Sequence, residues 1–111
     1  MVTKEITIDF KITNKSLYEI LEKAFSFPSW WGKNGDAAID CLLGMRTPWE
    51  HMSSIELGKE EQLLIHCLVA RNLSKEVIEF LEIVASVNYK EKLFGCYPSI
   101  LVSLEKVIGE A

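Results

Sequence analysis

Apolar and polar residues alternate from Ile6 to Ile12, with Thr7, Asp9 and Lys11 between Ile6, Ile8, Phe10 and Ile12. A period of two with one apolar side predicts a half-buried strand at a sheet edge. The period then changes. Ser16 and Glu19 have the spacing of a capping box, and Leu17, Ile20, Leu21, Ala24 and Phe25 form one helical stripe that Phe27-Pro28 ends. A second helix runs from Asn34, a good N-cap, to Gly44, a natural stop. Its core face falls to Ala37, Ala38, Cys41, Leu42 and Met45. Residues 46–61 are polar and irregular, broken by Pro48 and Gly58. LLIHCLVA, residues 63–70, is nearly all apolar and suits a strand covered on both faces.

Asn72 or Ser74 caps a third helix, with Val77, Ile78, Phe80, Leu81, Val84 and Ala85 as its core face. A break is expected near Asn88, with resumption through Lys92 and a stop at Gly95 and Pro98. Residues 100–104 make a third short strand, and the last residues a helical turn. Strands separated by helical crossovers are parallel. The expected fold class is therefore α/β: a small three-stranded parallel sheet with helices packed on it, the most apolar strand in the middle.

With 111 residues the chain makes one domain, 1–111. Its net charge of −4 argues against direct nucleic-acid binding and suits a basic partner. Neither a signal peptide nor an apolar run of membrane-spanning length is legible. Cys41, Cys67 and Cys96 are odd in number and set among apolar residues, as in a reduced, cytoplasmic protein with buried thiols. The cysteines and histidines lack zinc spacing, His66 and Cys67 point to opposite faces of a strand, and no cofactor or metal is expected. No nucleophile stands beside an oriented base, so an enzyme is not expected.

The informative stretch is SWWGKNGDAAIDCLLGM, residues 29–45. Asp36 lies in the first turn of its helix, where the macrodipole favours an acid. Asp40 follows one turn later on the same face, with no Lys or Arg at helical spacing to neutralise it. Mid-helix Asp is also a poor helix former. Local physics thus explains Asp36 and leaves two accounts of Asp40: a solvated face, or a contact for a cationic site. Ile39 and the two tryptophans favour the second. Trp31 is expected to point inward and Trp30 to sit at the rim.

These residues resemble the barstar family of ribonuclease inhibitors. Trp30, Trp31, Gly32, Asn34, Asp36, Ala37, Asp40, Cys41, Leu42, Gly44 and Met45 match its pattern in order. The likeness is strong over residues 16–45 and beyond them holds mainly as element order. It implies a barstar-like fold and an intracellular inhibitor, or immunity protein, that plugs the active site of a cognate bacterial ribonuclease or toxin domain. The acids would stand where RNA phosphate sits, Asp40 as the main mimic and Asp36 beside it. Trp30, Gly32, Asn34, Ile39, Leu43, Gly44 and Met45 would complete a one-to-one contact, made by a protein that is monomeric when free. The family also uses a third-helix acid, for which Glu82 and Glu91 are the candidates. Lys33, Ile39, Leu43 and Met45 depart from the residues the family often has there, so the target can be a different ribonuclease. The alternative reading is an acidic adaptor for a basic protein that is not a nuclease.

Overall fold

The computed structural model describes residues 1–11 and 14–107. Three strands, β1 (Val2–Asp9), β2 (Gln62–Val69) and β3 (Ile100–Lys106), form one parallel sheet in the order β1-β2-β3. Three helices, α1 (Leu17–Phe25), α2 (Gly35–Leu43) and α3 (Lys75–Leu93), supply the crossovers. The most apolar strand is central, as its sequence implied. Among the described residues it is covered on one face only. Leu63, Ile65, Cys67 and Val69 are buried against the helices, while Leu64, His66 and Leu68 face the other way and are half-buried. Two flanking strands shield the backbone and side-chain bases of a central strand, so Leu64 and Leu68 tolerate this face without a covering layer.

The expected first strand was placed too late. It begins at Val2, and its helix-side residues Ile8 and Phe10 are buried, whereas Ile12 lies outside the described residues. The capping box is present: the Glu19 amide donates to Ser16 Oγ at 3.2 Å, and the Ser16 amide to Glu19 Oε1 at 3.3 Å. Leu17, Ile20, Leu21 and Phe25 then turn inward together.

Helix α3 does not break at Asn88. The Asn88 side chain accepts from the Ile100 amide at 3.2 Å and donates to the Ile100 carbonyl at 2.9 Å. Its polar group is thereby committed to the start of β3 and does not compete with its own helix backbone. The core stripe is also rotated from the expected one. Val77, Phe80, Ile83, Val84 and Val87 are buried, whereas Ile78 and Ala85 are exposed. Strand β3 runs to Lys106, and the expected terminal turn falls mostly on residues 108–111, outside the described residues.

The segment 46–61 is ordered without helix or strand of its own beyond two 3-10 turns, Gly44–Arg46 and Pro48–Glu50. It is tied down by backbone bonds from the Ser54 amide to the Phe25 carbonyl (2.9 Å) and from the Leu57 amide to the Met45 carbonyl (2.7 Å). Leu57 seals the core beneath it. Arg46 is its main anchor. The guanidinium meets Glu91 Oε2 through Nε at 2.5 Å, the Gly58 and Lys59 carbonyls through Nη1 at 2.6 and 3.1 Å, and the Tyr97 carbonyl through Nη2 at 3.1 Å.

Candidate protein-binding face of helix α2

The approach to α2 is built on aromatic packing. Ser26 takes a left-handed conformation after α1, φ 52°, and turns Phe27 back onto Phe25, the two rings stacked 5.6 Å apart. Trp31 stands edge-on to Phe27 at 4.9 Å and to Tyr18 at 6.0 Å. Its indole Nε1 donates to Glu22 Oε1 at 2.8 Å, which satisfies the polar end of a ring that is 4% exposed. With Trp31 fixed inward, its neighbour must face out: Trp30 is 70% exposed. The expected division between the two tryptophans is the one observed.

Asn34 caps the helix. Its Oδ1 accepts from the Ala37 amide at 2.8 Å, and its Nδ2 donates to the Gly32 carbonyl at 3.3 Å. A Cβ on Gly32 would stand 3.2 Å from Asn34 Nδ2 and 3.3 Å from Ala37 Cβ, so glycine keeps this loop close to the cap. Lys33 adopts φ 51° and turns its ammonium to Glu22, 3.8 Å away. The cation beside the acids is therefore answered by a different residue.

Helix α2 buries Ala38, Cys41 and Leu42. Asp36 and Asp40 are both exposed on its opposite side, with Ile39 and Leu43 half-buried next to them. Among the described residues, neither aspartate has an ion-pair partner. The Cys41 thiol is pushed up to about 11, first by burial and then by the charge of Asp40, so it is no nucleophile at neutral pH. Cys67 is likewise raised to about 11 by burial and by Glu105. Cys96 departs from expectation in being only half-buried.

Two expected contact residues, Met45 and Gly44, and one of the two third-helix candidates, Glu91, are buried in the free protein. Met45 is fully enclosed, at 0% exposure, and cannot offer its side chain to a partner. Gly44 is buried too, and it does not stop the helix in the left-handed manner of a C-cap glycine. Its φ of −64° is ordinary, and the chain continues into a 3-10 turn. Glycine is required there by proximity, because a Cβ would lie 2.6 Å from Met52 Cβ. Glu91, one of the two third-helix candidates, is buried in an ion pair with Arg46, whereas Glu82 is exposed. A signal for Glu91 was present: it extends the stripe Val77, Phe80, Val84 and Val87 at alternating steps of three and four, so an acid there had to be buried. Nothing local announced its partner, Arg46, from the irregular segment.

Fold and site together define a class: a small parallel α/β domain that presents a capped, acidic helix face. Among the described residues there is no group of three or more His, Cys, Asp or Glu placed to hold a metal, and no helix is long and apolar enough to cross a membrane. Within that class the family is specific. The chain matches the family model described as barstar (barnase inhibitor) over residues 1–93, and it belongs to the barstar family, whose members are inhibitors and not enzymes. The match closes at the end of α3, before β3 completes the sheet. Neither the comparison with curated proteins nor that with solved structures returns a match.

Proposed function

We propose that this protein inhibits a ribonuclease by docking the acidic face of α2 in its active site. The observation that carries the reading is the pair Asp36 and Asp40, exposed, one helical turn apart and without cationic partners among the described residues. A site that binds RNA must gather cations around phosphate. Carboxylates fixed on a capped helix compete for the same cations, and the rigidity of α2 limits the entropy lost on docking. Asp40 is the principal phosphate mimic and Asp36 its flank. Trp30, Gly32, Asn34, Ile39 and Leu43 frame the contact, and Glu82 is the third-helix acid free to join it. Complementary charge steers association. The complex is one-to-one, the free protein is a monomer, and the biological role is cytoplasmic immunity to a bacterial ribonuclease or ribonuclease toxin.

The test is titration of RNA cleavage by a panel of barnase-class ribonucleases. Wild type should stop cleavage by one of them stoichiometrically. Asp40→Ala should weaken that complex by about 2–5 kcal/mol, because a desolvated enzyme cation loses its partner. Its melting temperature should stay near wild type, since the Asp40 side chain has no hydrogen-bond or ion-pair partner among the described residues. Added salt should slow association more than it speeds dissociation. Binding to a nuclease without inhibition, or inhibition indifferent to Asp40, would refute the plug.

A further inference from the structure

One side chain, Glu22, joins helix α1 to the loop that enters α2. Tyr18 and Glu22 stand one turn apart on α1 and grip Trp31 together. Tyr18 meets its ring edge-on at 6.0 Å, and Glu22 Oε1 accepts from its indole Nε1 at 2.8 Å. The same Oε1 lies 3.8 Å from Lys33 Nζ. One carboxylate oxygen thus holds the residues on either side of Gly32. The two contacts differ in environment. Trp31 is enclosed, whereas the Lys33 side chain is 62% exposed.

A solvated ion pair adds little to stability. Its effect here is on where a charge stands. Lys33 is the sole Lys or Arg between Lys23 and Arg46, and it precedes Asp36 by three residues, a span that a flexible lysine stem can cross. Its backbone is left-handed, φ 51°, which few non-glycine residues adopt, and its ammonium goes to Glu22. Among the described residues neither Asp36 nor Asp40 has an ion-pair partner. Were the ammonium to swing to Asp36, it would occupy that carboxylate in the free protein. A cation of the partner would then have to displace it before binding.

We infer that Glu22 is a positioning residue for the acidic face. It fixes Trp31 inward, so that Trp30 faces out, and it draws Lys33 away from Asp36, which leaves both acids open to the cations of a partner. The inference rests on the proposal that a basic nuclease docks on α2. It concerns a residue of α1 that lies outside the proposed contact and acts through Trp31 and Lys33.

Glu22→Gln separates the two tasks, because the amide oxygen still accepts from the indole while the charge that draws Lys33 is gone. The test begins on the free protein at fixed neutral pH. The carboxyl carbon resonance of Asp36 should move in Glu22→Gln, and should not move when the same change is made in a Lys33→Met background. Melting temperature should stay near wild type in both. Against an inhibited ribonuclease, Glu22→Gln should weaken binding by about fivefold more with Lys33 in place than in the Lys33→Met background. Net charge changes equally in the two backgrounds, so equal losses would reduce Glu22 to one more steering charge and overturn its positioning role, leaving the α2 plug standing. An Asp36 resonance that stays still, or that moves as far without Lys33, would overturn it too. A resonance that moves only with Lys33, in a protein that inhibits no ribonuclease, would support the positioning and remove the nuclease.

Discussion

Replacing Gly44 with alanine separates two explanations of why glycine ends α2. Were Gly44 a left-handed cap, the cost would be conformational and independent of its neighbours. Its φ of −64° and ψ of −12° are instead ordinary for alanine, which on backbone grounds should stabilise the fold by about 0.5 kcal/mol. The new Cβ, however, would stand 2.6 Å from Met52 Cβ and 2.9 Å from its Cγ. Neighbouring carbons pack at about 3.5–4 Å, so one side must yield by roughly 1 Å. Met52 Cβ is fixed to backbone, and rotation about the side chain cannot move it away. Overpacking of this kind costs about 2 kcal/mol, which leaves Gly44→Ala destabilising by about 1.5 kcal/mol. In a Met52→Gly background both contacts vanish, because residue 52 then carries no Cβ. The same change should then be neutral or stabilising by about 0.5 kcal/mol. The two substitutions should therefore couple by about 2 kcal/mol, within the range for contacting residues. Urea unfolding of the four proteins, followed by tryptophan fluorescence, completes the cycle. A coupling near zero, or a stabilising Gly44→Ala in the wild-type background, would refute the steric account.

Arg46→Met should destabilise by about 3–5 kcal/mol in urea unfolding, because it strands the buried Glu91 carboxylate and frees three carbonyls. On the open face of the sheet, His66 lies between Glu5 (2.8 Å) and Glu105 (2.5 Å), hydrogen bonds that raise its pKa above the ordinary 6.5. A raised histidine pKa contributes stability that is complete below the unfolded value and is lost as pH rises through the folded one. Glu105, lowered from 4.5 chiefly by the hydrogen bond to His66, contributes stability that is lost as pH falls through its folded value. Melting temperature should thus peak between these two ranges, and His66→Gln should flatten the descent above about pH 6.5, measured by calorimetry. With thiols raised to about 11 and buried, Cys41 and Cys67 should resist a disulfide reagent at neutral pH, while half-buried Cys96 reacts. Mass-spectrometric mapping of the labelled cysteine checks this.

Much of the fold was legible because local and global demands agree in it. Ser16 with Glu19, and Asn34 with Ala37, announce their helices through contacts three residues apart, so sequence order alone reveals them. The alternation in β1 likewise follows from which face is buried, whereas the apolar run of β2 implied cover on both faces and has it on one among the described residues. The exposure of Asp36 and Asp40 was legible for the same reason: they lack partners within a turn, and none arrives from elsewhere among the described residues. What escaped depends on distance along the chain. Asn88 reads as a helix breaker until Ile100 occupies its side chain. Gly44 reads as a cap until Met52 is brought against it. Arg46 reads as a surface charge until the loop closes over α3 and brings it to Glu91, forty-five positions on.

The central strand is made late in the chain, and its pairing order governs how the protein comes into being. Strand β1 finds its neighbour only sixty residues on, where Val2 lies opposite Gln62, and β2 waits for Ile100 to cover its other edge. Through most of synthesis α2 is therefore already made while the platform that steadies it is not. A growing chain can hold capped helices, but its sheet closes last, and parallel pairing across such separations is slow and leaves strand edges open meanwhile. Helix α2 packs on α3, so its acidic face gains its backing once α3 has emerged, whereas chains cut short before β3 leave an edge of β2 open and will be aggregation-prone.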